Sequence, residues 1–511
     1  MHSNNLSHPQ KRSALRAINL IKEKRDGRLK ARTCADGRPE RKIYTKEDTT
    51  SPAISTDSLF AILIKSAKEG RQIMTWDVEG AYLLADQDRF VVVKFEGASV
   101  DILCEVNPDY KKFVVIENGK KVLYLRLLKA LYGCLRSALL WYELYISILK
   151  KMGFVLNPYD HCVANKMIEG AQCTIGFWVD DNVATHMSSN VLNAVIVELE
   201  KHVGKMVISR GDTHVFLGML IKFRRGDNTL SIDMSEYVKE VIADSPENVR
   251  GSAVNPARKD LFLFEEASSP LSMERSDIFH SLTMKLMYIC QRGRLDIQTA
   301  VAFLSTRVSK STEQDWGKLR RVVEFLNGTI EDVLILGADS LDRVDTFVDV
   351  SFAVHHYMRS HTGGGVTFGR GVLMSRSVKQ KLNTTSSTES EVVGAADYLP
   401  NTIWLMKFLE CQGYRLKESV LHQDNESAIK LERNGKRSSS RRTRHIDIRY
   451  FATKDRLKRE GIQVIYCPTE AMVADYFTKP LQGTLFKKLK AVIMGHTLVS
   501  TLSQSQTNTA E

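Results

Sequence analysis

Two adjacent carboxylates, Asp180 and Asp181, stand between two β-rich apolar stretches in Cys173-Thr-Ile-Gly-Phe-Trp-Val-Asp-Asp-Asn-Val-Ala-Thr-His186. The pattern predicts a hairpin with two acids at its tip. Neighbouring carboxylates repel, so burying them together is costly unless a cation sits between them. Magnesium is a natural candidate, because it commonly bridges protein carboxylates and substrate phosphates. On an arbitrary surface hairpin a solvated Asp-Asp-Asn turn would be the better reading. Two further groups of acids overturn it here.

The first lies upstream in Trp76-Asp77-Val-Glu-Gly-Ala-Tyr82-Leu, where Asp77 ends a predicted strand and Tyr82 sits on the turn into a helix. With Asp180 and Asp181, Asp77 makes a set of three carboxylates able to hold two metals. Two metals about 3.5–4 Å apart can activate an attacking hydroxyl and stabilise a leaving phosphate oxygen. The second group is C-terminal. Asp349 lies on a predicted strand, Glu389 and Glu391 open a helix in Ser386-Ser-Thr-Glu-Ser-Glu391, Asp424 follows the strand ending in His422-Gln423, and Asp475 precedes Tyr476-Phe-Thr-Lys479. Alone, each would more often be a surface acid or a helix cap. Together they could converge on two metals.

The elements that must position these acids follow from periodicity. A helix is expected over 58–69, strand into helix over 71–84, and strands over 90–126 with a turn at Glu117-Asn-Gly-Lys120. A long helix is expected over 128–152, another over roughly 190–203, and a strand over His214–Met219. Residues 235–335 read as mostly helical, with Arg292, Arg294, Lys310 and Lys318 able to form a basic face. Composition shifts near 341. A strand-rich unit begins there and includes the hairpin-like Gly363–Gly371 and two helices, 388–398 and 400–412. Residues 1–20 read as a loose polar leader, 21–42 and 433–445 as basic, and the Ser/Thr/Gln-rich end as disordered.

A net charge of +12 over 511 residues points to a polyanionic partner such as nucleic acid. The eight cysteines are scattered without Cys-x-x-Cys or Cys/His finger spacing, which supports neither a zinc site nor a disulfide framework and fits a reducing, intracellular setting. No apolar run reaches the ~18 residues of a membrane span, so no membrane association is expected.

The ordered set Asp77…Tyr82, Leu131-Tyr-Gly133…Trp141 and Val179-Asp-Asp181, with Gly153-Phe, Asn157-Pro-Tyr-Asp160 and Phe216-Leu-Gly218, resembles the reverse transcriptase of copia-type retrotransposons. The Ser-Ser-Thr-Glu-x-Glu run, Asp424-Asn, Arg444-His-Ile-Asp447 and Ala474-Asp475…Thr478-Lys479 resemble the ribonuclease H domain of the same elements. The resemblance implies an α+β multidomain chain. It would comprise a flexible leader (1–20), a palm-and-fingers polymerase (21–235), a mostly helical thumb or connection (236–340), a ribonuclease H-like mixed α/β domain (341–482) and a tail (483–511) whose end is disordered.

Carried over residue by residue, the resemblance makes Asp77, Asp180 and Asp181 the polymerase ligands, and Asp349, Glu391, Asp424 and Asp475 the nuclease ligands. Each site would hold two magnesium ions, or manganese. Glu391 is preferred to Glu389 because it precedes Val392–Ala395, and Glu389 stays open as the alternative. Tyr82 would exclude a ribose 2′-hydroxyl, Lys30 and Arg32 would contact the triphosphate, and His214–Met219 would lie near the primer terminus. His445 and Asp447 match the nuclease pattern. The implied partners are an RNA template, a DNA primer, an RNA–DNA hybrid and deoxynucleoside triphosphates, and the implied location is a cytoplasmic virus-like particle with a nuclear stage.

The chain departs from the family at three places. Leu135-Arg-Ser-Ala-Leu-Leu140 lacks the Gln that helps place template and nucleotide, leaving Ser137 as a substitute. Trp178 replaces a Tyr, and Leu295 replaces a Pro. These departures keep a second expectation open, an inactive relic that only binds nucleic acid. The absence of protease, integrase-zinc and zinc-knuckle motifs suggests a C-terminal piece or a truncated copy.

Overall fold

Leu59-Phe-Ala-Ile-Leu-Ile64 places apolar residues on every side of one helix, so that helix must be enclosed. In the computed structural model, which describes residues 6–23, 27, 29–246, 251–434 and 447–504, it is. Helix Thr56–Lys68 starts at Ser55, whose hydroxyl accepts from Ser58 N, and every residue from Ser58 to Ala67 is buried. It packs on Gly176, and on strands Thr229–Asp233 and Leu334–Ala338. A Cβ on Gly176 would lie 2.6 Å from Ile54, so glycine permits this close approach.

The architecture is mixed α/β, with four sheets among the described residues. The first has the order Leu29–Ala35, Leu15–Glu23, Val92–Glu96, Lys120–Arg126, Val115–Glu117. The second runs Met206–Arg210, Gln72–Val78, Asp181–His186, Ala171–Trp178, Asp160–Ile168, Val155–Asn157. The third runs Thr213–Phe216, Met219–Arg224, Thr229–Asp233, Leu334–Ala338, Gly369–Arg370. The fourth runs Met374–Lys379, Arg359–Thr367, Arg343–His355, Glu418–Gln423, Ile462–Tyr466, antiparallel over its first two pairings and parallel over its last two. The first sheet has its own apolar clusters, whereas one continuous core runs from Ile54 to Leu502 through the other three.

Helices Ser235–Ala243, Met273–Cys290, Gln298–Ser305 and Glu313–Asn327 lie between the second and fourth sheets in sequence. Helix Ser387–Cys411 crosses the fourth sheet, where Thr402 and Thr346 share a hydroxyl hydrogen bond of 3.1 Å. Gly364 allows that approach, since a Cβ there would lie 2.4 Å from the Tyr398 ring.

Several sequence expectations need correction. Residues 6–20 are not a loose leader: Ser7 and Gln10 form a capping box on helix His8–Arg12, and strand Leu15–Glu23 follows. Residues 98–106 form a helix within the stretch expected to be strands. The long helix begins at Ser137, because 128–136 is an irregular segment bridging to Asp86 and Ala35. His214–Met219 breaks at a turn, with positive φ at Leu217 and Gly218. The expected helices 388–398 and 400–412 are one helix that runs through Pro400. Leu489 and Ile493 of helix Gly483–Ile493 are fully buried, so residues 483–504 are not a tail; residues 505–511 lie outside the described residues.

The expected basic face loses two of its four members to burial. Arg294 is 1% exposed and clasps Asp296 through two bonds of 2.9 Å, joined by Lys490, while Arg292 lies over the Tyr288 ring. Removing one member of such a buried group strands the remaining charge. Asp296→Ala should therefore cost about 3–5 kcal/mol, read as a lowered urea midpoint. A midpoint within error of the parent would show that this ion group is dispensable.

Candidate active sites

Strands Ala171–Trp178 and Asp181–His186 are joined by the two residues Val179 and Asp180. Asp181 faces Trp178 on one side and Asp77 on the other, in register. Val179 sits at φ 55°, an uncommon conformation for a β-branched residue. Three hydrogen bonds hold the turn: Trp141 Nε1 donates to Val179 O (2.7 Å), Asn182 Nδ2 to Asp180 O (2.7 Å) and Val78 N to Asp180 O (3.1 Å). Strain of this kind persists where the surroundings over-determine it, and it clusters at functional sites.

Burial raises the Asp77 carboxyl above the usual range, and the Asp180 charge adds to the effect; Lys30 and Arg32 oppose it. Burial, then Asp180 and Asp77, push Asp181 up to about 6. Tyr82 lies in the short helix Ala81–Leu84, entered through Gly80 at φ 63°. Its ring centre is 4.7 Å from that of Tyr132, and the Arg32 guanidinium is 5.3 Å from the other tyrosine's ring, Tyr132. Burial raises the Tyr82 phenol, with Asp180 contributing. The structure therefore brings Asp77, Asp180, Asp181, Tyr82, Lys30 and Arg32 into one neighbourhood.

Ser137 does not join them. It is 1% exposed, and its hydroxyl donates to Leu131 O at 2.7 Å, so the expected substrate contact is replaced by a structural one. His214 is likewise committed, between Thr75 Oγ1 and Gly211 O.

In the fourth sheet, Asp349, Glu391 and Asp424 place carboxylate oxygens within 4.8 Å of one another, the one such group of three among the described residues. Asp349 lies on the central strand Arg343–His355, Glu391 on the first turns of helix Ser387–Cys411, and Asp424 just beyond strand Glu418–Gln423. Asp475 opens the short helix Asp475–Thr478. A Cβ on Gly363 would lie 2.7 Å from the Phe477 backbone, so glycine lets this helix close on the sheet. Burial, then Asp349 and Asp424, raise Glu391 well above the usual range. Burial and Asp349 push Asp475 up to about 7 against the pull of Lys479. Glu389 points elsewhere, accepting from Thr385 N and Oγ1 at 2.7 and 2.6 Å.

Three neighbours were not assigned roles from the sequence. Thr478 Oγ1 donates to Asp349. Lys479 Nζ reaches Asp475 at 2.6 Å and Asp349 at 3.4 Å. The Gln423 amide donates to Glu391 at 3.4 Å while accepting from Asp424 N and Asn425 N. For Lys479 the signal was present, an acid and a lysine four residues apart. His445, most of the basic run 433–445 and the side chain of Asp447 lie outside the described residues.

Residues 6–253 match the family model described as Reverse transcriptase (RNA-dependent DNA polymerase). The Pol polyprotein from transposon TNT 1-94 of Nicotiana tabacum is 25% identical over 500 residues, which is 96% of this chain and 36% of that protein. The Pol polyprotein from transposon RE1 of Arabidopsis thaliana is 25% identical over 468 residues, 91% of this chain and 30% of that protein. Residues 6–253 thus belong to the reverse transcriptase family, and nearly the whole chain is similar to the matching part of copia-type retrotransposon Pol polyproteins. The chain spans about a third of the length of those relatives. Among solved structures, the protease-reverse transcriptase of prototype foamy virus is 13% identical and covers 92% of this chain and 52% of its own, with a TM-score of 0.23. No helix among the described residues of the reverse transcriptase region is long and apolar enough to cross a membrane.

The raised Asp181 carboxyl makes a prediction about stability. A free Asp titrates near ~3.9. An acid whose folded value lies higher favours folding at low pH, and loses that contribution as pH rises through the folded value, here about 6. In EDTA, Asp181→Asn should therefore melt above the parent at pH 8, with the gap roughly halved at pH 5, which lies between the unfolded and folded values. Equal melting temperatures at pH 8 would show that the three carboxylates do not strain the fold.

Proposed function

We propose that this chain is an RNA-directed DNA polymerase coupled to a ribonuclease H that degrades the RNA of RNA–DNA hybrids. The first and second sheets are its fingers and palm, the four helices its thumb and connection, and the fourth sheet its nuclease. One observation carries the reading: Asp77 and Asp181 stand opposite each other in register at a strained turn, beside Asp180, and Lys30 and Arg32 offset the Asp77 repulsion only in part. Those residues fit a divalent cation, as do Asp349, Glu391 and Asp424, whose convergence supports the nuclease. Magnesium or manganese, when bound, supplies Lewis acidity and charge for the attacking and leaving oxygens.

In polymerisation the primer 3′-hydroxyl attacks the α-phosphate of a deoxynucleotide and pyrophosphate leaves. Asp77, Asp180 and Asp181 hold the cations. Lys30 and Arg32 offset triphosphate charge. Tyr82, propped by Tyr132, occupies the space of a ribose 2′-hydroxyl. Trp141 keeps the Val179 turn in place. In the nuclease, Asp349, Glu391, Asp424 and Asp475 form the acidic site, and Thr478 and Gln423 orient Asp349 and Glu391. Its substrates would be an RNA template, a DNA primer, deoxynucleoside triphosphates and the resulting hybrid, met inside the cell in a virus-like particle. A relic that only binds nucleic acid is the second reading. It draws support from Ser137, which does not replace the missing Gln.

Losing the partner of a metal ligand already costs about 10–100-fold, so losing a ligand should cost at least about a hundredfold. Asp180→Asn or Asp181→Asn should abolish RNA-templated primer extension and spare hybrid cleavage, and Asp424→Asn should do the reverse. Loss of both activities together in a folded variant would contradict two separate sites, and absence of both in the parent would favour the relic. A further outcome concerns Tyr82→Ala, which should raise incorporation of ribonucleotides relative to deoxynucleotides. An unchanged ratio would reduce Tyr82 to a packing residue.

A further inference from the structure

We propose that Lys479 is a built-in cation of the nuclease centre. Its ammonium occupies the position between Asp349 and Asp475, and the site takes up one divalent ion, on Asp349, Glu391 and Asp424. The inference rests on the nuclease reading above and changes its metal count from two to one.

Four acids converge on this centre, but not equally. The oxygens of Asp349, Glu391 and Asp424 lie within 4.8 Å of one another, and Asp475 stands outside that group. What Asp475 meets instead is Lys479 Nζ, at 2.6 Å from Oδ1. The same ammonium is 3.4 Å from Asp349 Oδ1, while Thr478 Oγ1 donates to Asp349 Oδ2. The two carboxylates that would share a second metal are therefore already bridged by a fixed positive charge. Both are nearly closed to solvent, with side chains 3% and 2% exposed.

The lysine is held there by the chain itself. Lys479 N donates to Asp475 O at 2.9 Å, closing the last turn of helix Asp475–Thr478, and Pro480 follows. The i,i+4 spacing places acid and base on one face. Lys479 also lines a small cavity together with Thr299 and Ala300 of helix Gln298–Ser305 and Tyr476 of its own turn. Two carboxylates thus face the ammonium, an arrangement that favours a positive charge between them.

A divalent ion on Asp349 and Asp475 would need oxygens at about 2.0–2.1 Å for magnesium, in the volume that Nζ now fills, and would face a like charge. An ammonium donates hydrogen bonds and charge to a phosphate oxygen but does not acidify a bound water as a divalent ion does. Activation of the attacking water thus belongs to the Asp349, Glu391 and Asp424 side, and Lys479 stabilises charge on the other.

The test counts Mn2+ bound to the full-length chain by electron paramagnetic resonance. The nuclease share is the number of ions that Asp349→Asn removes. The expected share is one in the parent and two in Lys479→Met, and the added ion should vanish when Asp475→Asn is combined with Lys479→Met. Lys479→Arg, which keeps the charge, should stay at one. A share of two in the parent, which needs no variant of Lys479, would overturn the proposal. So would a share of one in folded Lys479→Met. A share of zero, with hybrid cleavage also absent, would instead overturn the nuclease reading beneath it.

Discussion

Mutual repulsion of carboxylates that the backbone forces together is the constraint on which both centres depend. In the second sheet, the antiparallel register that aligns Asp181 with Asp77 also aligns Val183 with Thr75 and Thr185 with Ile73. Slipping the strand by one residue to separate the acids would turn every one of these side chains to the opposite face. The core thus enforces the repulsion. The Val179 turn adds local strain and is retained because Trp141, itself 1% exposed, donates to its carbonyl. In the fourth sheet the acids come from a strand, a helix, a strand end and a short helix, so tertiary packing enforces the same effect over long sequence separations. Like charges held together in this way cost stability at neutral pH, and a cation bound there would recover that cost.

The two centres also share one packed support. Helix Ser387–Cys411 meets the second sheet at its edge strand Val155–Asn157 and the turn that follows: Trp404 Nε1 donates to Tyr159 O at 3.0 Å, and Asn157 Nδ2 donates to Phe408 O at 3.2 Å. Lys65 crosses the same junction, with its ammonium 4.0 Å from the Tyr414 ring, and Arg376 meets Asp57 at 3.3 Å. The continuous core passes through this junction. The third sheet carries it further, because Leu334–Ala338 pairs with Thr229–Asp233 on one side and Gly369–Arg370 on the other, across the composition change near 341. A change of composition marks where one kind of surface gives way to another. It does not by itself mark where a core ends.

What the sequence made legible followed from local pattern. Asp180 and Asp181 could be placed on a hairpin because a hairpin needs only neighbouring residues, and Thr56–Lys68 was readable from its apolar run. What stayed hidden depended on distant partners. Pro400 argued for a break between two helices, yet the tertiary packing of Tyr398, Leu399, Thr402 and Leu405 carries one helix through it. Arg294 looked like part of a basic face because its partner Asp296 becomes buried only when Lys490, far along the chain, arrives. Ser137 was assigned to substrate by alignment with a missing Gln, but its hydroxyl bonds Leu131 O at the start of a helix, a local demand that family position does not reveal. Between Glu389 and Glu391 the sequence favoured the second only by its place before Val392–Ala395 in the family pattern. The Thr385 contacts that hold Glu389 away depend on how the helix begins.

The positive charge beside each acid cluster is mounted differently. At the first centre Lys30 and Arg32 belong to a sheet with its own apolar clusters, joined to the main core by polar contacts such as Glu40 to Leu135 N and Arg136 to Asp88. Their approach to Asp77 is thus not fixed by the packing that fixes Asp77 itself. At the second centre Lys479 is one helical turn from Asp475, so the backbone itself keeps the lysine beside its acid. On the proposed reading, cations on a separate sheet would suit a centre that admits a large, highly charged triphosphate and releases pyrophosphate in every cycle. A cation tied to its acid would suit a centre that meets a phosphodiester already paired into a duplex, where positioning matters more than clearance.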